Sequence, residues 1–114
     1  MPPVMSSPPV PIKLAVQRRA FALAAAVAAG DRAGWENCRS DEFADRDREL
    51  PPLFETAERA ELIGTVANRT LVHLHLAGGD TRVIELLWRD HLGDWLVDDA
   101  RVFSLLPDDP PPAP

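Results

Sequence analysis

The chain has a single cysteine, Cys38, so no intrachain disulfide can form and no cysteine-based zinc site can be assembled. It has no excess of positive charge: 12 Lys and Arg stand against 18 Asp and Glu, a formal net charge of −6. A protein that grips a phosphate backbone shows a basic face, so nucleic-acid binding is not expected. Long apolar runs are missing as well. The run from Ala20 to Ala29 is far short of the roughly 20 residues that span a bilayer, so no membrane partner is expected. The acidic residues include no glycine-bearing Ca²⁺ loop, and neither a metal nor a cofactor is expected.

What is present fits one domain. The chain has 114 residues and 46% hydrophobic content, enough to build one core and not two. Five of the 12 prolines fall in residues 2–11 and five in 107–114. Both ends read as disordered Pro-rich tails, 1–11 and 107–114, around a single α+β domain over 12–106. Cys38 reads as a small, semi-buried apolar residue.

The first element is a helix from Pro11 to Gly30. Proline suits a first helical turn, where its missing N–H has no partner anyway. Ile12, Val16, Ala20, Leu23 and Val27 recur at helical spacing, and Gly30 ends the helix as a left-handed cap. Every residue from Ala20 to Ala29 is apolar, so the second half is expected to be covered on most sides. The segment "RRAFALAAAVAAG" also resembles a twin-arginine export signal. A cytoplasmic location is preferred to export on a signal in 1–30, because cleavage there would strip the later hairpins of their helix.

Asp31 is placed to cap a second helix carrying Trp35 and Cys38. The mixed charges from Asp41 to Glu49 read as a solvated helix face, Pro51-Pro52 as a break, and 53–62 as a short third helix with Leu53, Phe54, Ala57 and Ala60 inward. From Thr65 the period becomes two. Strands are expected over 65–77, 81–90 and 94–105, with turns at 78–80 and 91–93, giving helices followed by an antiparallel meander of three or more strands.

With Gly78, Gly79 and Asp80 as the loop, Leu76 faces Arg82, Leu74 faces Ile84, Val72 faces Leu86 and Thr70 faces Trp88, an apolar face towards the helices. His73 then pairs with Glu85 and His75 with Val83 on the opposite face. The two histidines are read as outward residues of a half-buried strand. A proton-transfer pair with Glu85 is the sharper reading, and a metal site the least favoured. Strand alternation puts one aspartate on each face at Asp98 and Asp99. The one on the helix side is expected to pair with an arginine or to lie near the open end of the sheet; in a partly apolar cavity it would instead have a raised pKa and suit general acid or base work.

The pattern A-x-A-x-GD-x-x-G-W (Gly30-Asp31, Gly34-Trp35), the strand "VIELLWR", the turn Gly93-Asp94-Trp95 and "VDDAR" resemble the nuclear-transport-factor-2-like superfamily, in its polyketide cyclase-like and ketosteroid isomerase-like branch. The resemblance covers about residues 12–105. It implies a cone of a long helix on a curved sheet with a pocket between, often dimeric through the outer face of the sheet. Some members catalyse with an Asp and a His or Tyr; others bind small apolar ligands or partners. This chain departs from the pattern in two respects. The hairpin between the second and third helices is absent or reduced to 50–56. There is no tyrosine, so a tyrosine oxyanion hole does not carry over.

Two functions follow as expectations. The first is a non-catalytic small-ligand-binding or interaction domain, a homodimer through the sheet, with Trp35, Trp88, Leu74 and Leu86 around a small apolar ligand. The second is a small enzyme performing proton transfer of isomerase, cyclase or hydratase type. Its candidates are Asp98 or Asp99 as base, His73 or His75 as partner, and Arg101 as the charge-stabilising group.

Overall fold

The computed structural model describes residues 12–103. The Pro-rich tails, Pro11 at the helix start and the domain end at 106 lie outside the described residues. The element order is α1 (Ile12–Ala29), α2 (Arg32–Glu36), α3 (Asp41–Arg46), α4 (Leu50–Thr56), β1 (Ala57–Val66), β2 (Arg69–Leu76), β3 (Thr81–His91) and β4 (Asp94–Phe103). The four strands form one antiparallel sheet in the order β1-β2-β3-β4, an open meander with the helices on one face. The expected α+β class, helices first and meander second, is what the chain adopts.

Helix α1 stops where a left-handed glycine permits it. Gly30 has φ +69; its N–H bonds to Val27 O at 3.2 Å, and Asp31 N–H reaches Ala26 O at 2.8 Å. This pair of bonds satisfies carbonyls that the helix end would otherwise leave open. Asp31 then caps α2, accepting Gly34 N–H at 3.0 Å. Gly34 has no room for a side chain: a Cβ there would lie 2.5 Å from Asp31 Oδ2 and 2.9 Å from Ala26 Cβ. The Gly30-Asp31-x-x-Gly34 spacing is therefore a close crossing of α1 and α2.

Val16, Ala20, Leu23 and Val27 bury the inner stripe of α1 against the sheet. The second half of α1 is covered on that side only. Phe21 is 56% exposed, and Ala22, Ala25, Ala28 and Ala29 face outward. Alanine has the highest helix propensity and little apolar surface to hide, so an alanine-rich run does not require cover on all sides.

The expected helix over 53–62 is replaced by the end of α4 and most of β1. The reason lies in two bulges, after Ala57 and after Leu62. Each inserts one extra residue, so the inward positions of β1 become Ala57, Ala60, Leu62 and Thr65. A strand with bulges thus shows the three-residue spacing of a helix. The expected strand over 65–77 is in fact a hairpin folded at Ala67-Asn68. Ala67 takes φ +53, an uncommon value for a residue with a Cβ. Asn68 holds the turn: its side-chain N–H₂ donates to Trp88 O and its carbonyl accepts Trp88 N–H, both at 2.8 Å.

The β2–β3 loop is Ala77, Gly78 and Gly79, one residue earlier than expected; Leu76 N–H bonds to Asp80 O at 2.8 Å. Gly78 and Gly79 both have positive φ, +88 and +87. Sliding the loop by one moves the register by two, so Val72 pairs with Ile84, Thr70 with Leu86, and His73 with Val83 rather than Glu85. A shift of two preserves both faces. The core face is therefore as expected, with Val72, Leu74, Ile84, Leu86 and Trp88 at 0–1% exposure. The β3–β4 turn is Leu92-Gly93, both at positive φ, between the paired His91 and Asp94.

Beneath the sheet the core is closed by Trp35, which meets Phe54 edge-on at 5.0 Å, and by Trp88, whose Nε1–H donates to the buried Thr70 hydroxyl at 3.0 Å. The mixed-charge run is not uniformly solvated. Asp47 is buried and ion-paired to Arg39 at 2.9 Å; its carboxylate also accepts the N–H groups of Glu49 and Leu50 at 3.1 Å, capping α4. No helix among the described residues is long and apolar enough to cross a membrane.

Candidate functional site

Strand β4 carries the feature that organises the polar surface. Trp88 pairs with Val97, Leu87 with Asp99 and Leu86 with Ala100, which leaves Asp98 as the extra residue of a bulge. Alternation is broken there. Val97 and Ala100 both pack towards the core, and the two residues between them, Asp98 and Asp99, both lie away from it. Neither aspartate stands on the helix side, where simple alternation placed one.

Asp98 sits among cations. His91 Nε2 lies 3.0 Å from its Oδ1 and Arg89 Nε 3.5 Å from its Oδ2, while the Arg46 guanidinium donates to its backbone carbonyl. Partial burial opposes its charge, but hydrogen bonds from the Ser40 hydroxyl and His91, with the charges of His91 and Arg89, outweigh it. The carboxyl therefore lies below its ordinary range. This is the reverse of the raised value that an apolar cavity would give, and Arg89 supplies the arginine partner of the other expectation. The pair opens on two shallow clefts that share Ser40 and Glu42. One of about 310 Å³ also includes Arg46, Arg89 and Asp98; the other, about 350 Å³, includes Asp41, His91 and Leu96.

Chemically, an ionised carboxylate that orients an exposed imidazole is half of an acid–base device. Ser40 is no free nucleophile: it is 3% exposed, and its Oγ caps α3 by accepting Phe43 N–H at 3.2 Å. His91 was not among the expected site residues. Its only signal in the sequence is its place at a hairpin end opposite the aspartates.

The other expected residues are dispersed. His73 and His75 lie on the outer face with ring centroids 4.4 Å apart, and His75 Nε2 contacts Glu61 Oε1 and Arg59 Nη2, each at 3.1 Å. Among the described residues no cluster of three or more His, Cys, Asp or Glu side chains is placed to hold a metal ion. Asp99 is exposed and accepts Ala100 N–H at 2.9 Å, and Arg101 is exposed opposite Glu85. Trp35, Trp88, Leu74 and Leu86 come together, but as packed core at 0–2% exposure. An apolar ligand between helix and sheet would have to displace them.

On the outer face, cross-strand rows alternate in character. His73, Val83 and Phe103 form one row, Leu71, Glu85 and Arg101 the next, and Arg69, Leu87 and Asp99 the third. Val83 is only 3% exposed, although no helix among the described residues covers this face. No known protein-family model and no curated protein matches this chain.

Proposed function

We propose that the protein is a non-catalytic interaction domain of the nuclear-transport-factor-2-like type, working as a homodimer through the outer face of its sheet. One observation carries the reading: an outer sheet face, covered by none of the described helices, on which apolar residues (Leu71, Leu87, Phe103) interleave with both charge signs (Arg69, Glu85, Asp99, Arg101). Apolar residues interleaved with both charge signs suit a two-fold contact, in which each patch meets its own copy. Four strands spaced ~4.8 Å, about eight residues long at ~3.3 Å each, offer roughly 500 Å² per partner. The total of about 1,000 Å² is at the threshold for a specific interface, so the dimer is expected to be reversible. Sedimentation across micromolar to sub-millimolar concentration tests this. Wild type should shift from monomer to dimer, and Leu87→Asp should stay monomeric with its melting temperature kept. A chain that is monomeric throughout refutes the reading. Cytoplasmic location fits the same picture, because Val16, Ala20, Leu23 and Val27 of α1 are core residues that cleavage near Gly30 would remove.

The second reading is a small enzyme doing proton transfer with an Asp/His pair, and it is favoured by the 3.0 Å His91–Asp98 contact beside open clefts. Asp98 orients and His91 exchanges the proton in this arrangement. Turnover of small ketones or lactones that disappears in both His91→Asn and Asp98→Asn would support it; turnover unchanged in both removes it.

A further inference from the structure

A cleft of about 370 Å³ lies between the first turns of α1 and the β3–β4 hairpin, lined by Ala15, Arg18, Arg19, Gly93, Asp94 and Trp95. It belongs neither to the His91–Asp98 cluster nor to the outer sheet face. We propose that it is a binding site for small planar aromatic carboxylates.

The chain is acidic overall, yet α1 contains no acidic residue. Neither Arg18 nor Arg19 enters an ion pair among the described residues, a property shared with Arg46, Arg48 and Arg101, whereas Arg32, Arg39, Arg59, Arg69, Arg82 and Arg89 all do. Arg19 is held in place by its Nε–H bond to the Trp95 backbone carbonyl at 3.1 Å, and both residues line the cleft. Trp95 is the one tryptophan of three that is not fully buried. Gly93, at φ +96, stands at the rim, where a Cβ would meet nothing within 4 Å. A planar guanidinium takes a carboxylate through two parallel hydrogen bonds, and an indole takes a flat ring on its face. The two side by side match a ligand carrying both groups. The volume suits one or two rings and lies at the small end of ligand sites. Asp94 is the single acid on the rim and opposes the ligand's charge.

Trp95 supplies its own reporter, because Trp35 and Trp88 are shielded at 2% and 0% exposure. The full chain is titrated with benzoate, with neutral benzamide and with acetate, following tryptophan emission. The expected result is saturable quenching by benzoate alone, absent in Trp95→Phe. Arg18→Gln should weaken it by about two- to fivefold, the scale of an exposed charge pair, and Asp94→Asn should strengthen it by a similar factor. NMR shifts confined to the Trp95 indole N–H and the Gly93 amide are expected to locate the site. The proposal is overturned by the absence of saturation, by benzamide or acetate matching benzoate, or by weaker binding in Asp94→Asn.

Discussion

Replacing Asp47 by alanine should be among the most damaging single changes in the chain. Its side chain is 4% exposed and that of Arg39 is 10% exposed, with 2.9 Å between them. The guanidinium lies 5.3 Å over the Trp35 ring and its Nε already lacks a partner. Removing the carboxylate strands a buried cation and also strips α4 of the acceptor for Glu49 and Leu50 N–H. Leaving one member of a buried pair alone costs about 3–5 kcal/mol, and a lost helix cap accounts for ~1 kcal/mol of that. For a domain of this size the melting temperature should fall by roughly 15 °C or more. Urea denaturation with an unchanged slope would assign the loss to stability rather than to altered compactness. The double replacement Arg39→Met, Asp47→Leu removes both charges and should recover all but about 1 kcal/mol, the part due to the cap. If Asp47→Ala costs under about 1 kcal/mol, as expected for the exposed pair Arg59–Glu61, the pair does not anchor the α3–α4 connection and the reasoning fails.

Three further outcomes follow from the same geometry. Because the Asp98 carboxyl lies below its ordinary value of 3.8, its contribution to stability is present above that value and lost as pH falls through the lower folded-state value. The melting-temperature advantage of wild type over Asp98→Asn should therefore vanish on acid titration, and a constant difference down to pH 2 would contradict it. Thr70→Val leaves the Trp88 indole Nε1–H buried without an acceptor and should cost ~1–3 kcal/mol in chemical denaturation, with a cost near zero counting against the bond. Phe21→Gln, on the exposed side of α1, should change stability by no more than about 0.5 kcal/mol, whereas Val16→Ala should cost measurably more; equal losses would mean that α1 is covered on both sides.

Several features were legible in residues alone because a local rule decides them. The α1 stop at Gly30, the Asp31 cap and the Leu92-Gly93 turn each depend on a few neighbouring residues and their allowed φ values. The core faces of β2 and β3 follow from a period of two, which survives even a register error of two. The aspartate pair was legible as a polar interruption in a strand, while its partner His91 was not, because nothing local links residues seven apart across a hairpin.

Bulges, burial and pairing were decided elsewhere. Three bulges, two in β1 and one in β4, turn period two into a spacing of three. The first two made a strand read as a helix, and the third set Asp98 and Asp99 on one side. Burial of Asp47 depends on Arg39 meeting it from another segment, which no run of mixed charge discloses. The sequence by itself determined which residues prefer the interior, where the chain must turn and the order of helices before sheet, since these rest on side-chain chemistry and backbone sterics within a few residues. Only the tertiary structure decided which strand residues are surplus to the ladder, which charge is buried and which arginines enter no ion pair among the described residues. Those depend on what the rest of the chain brings alongside.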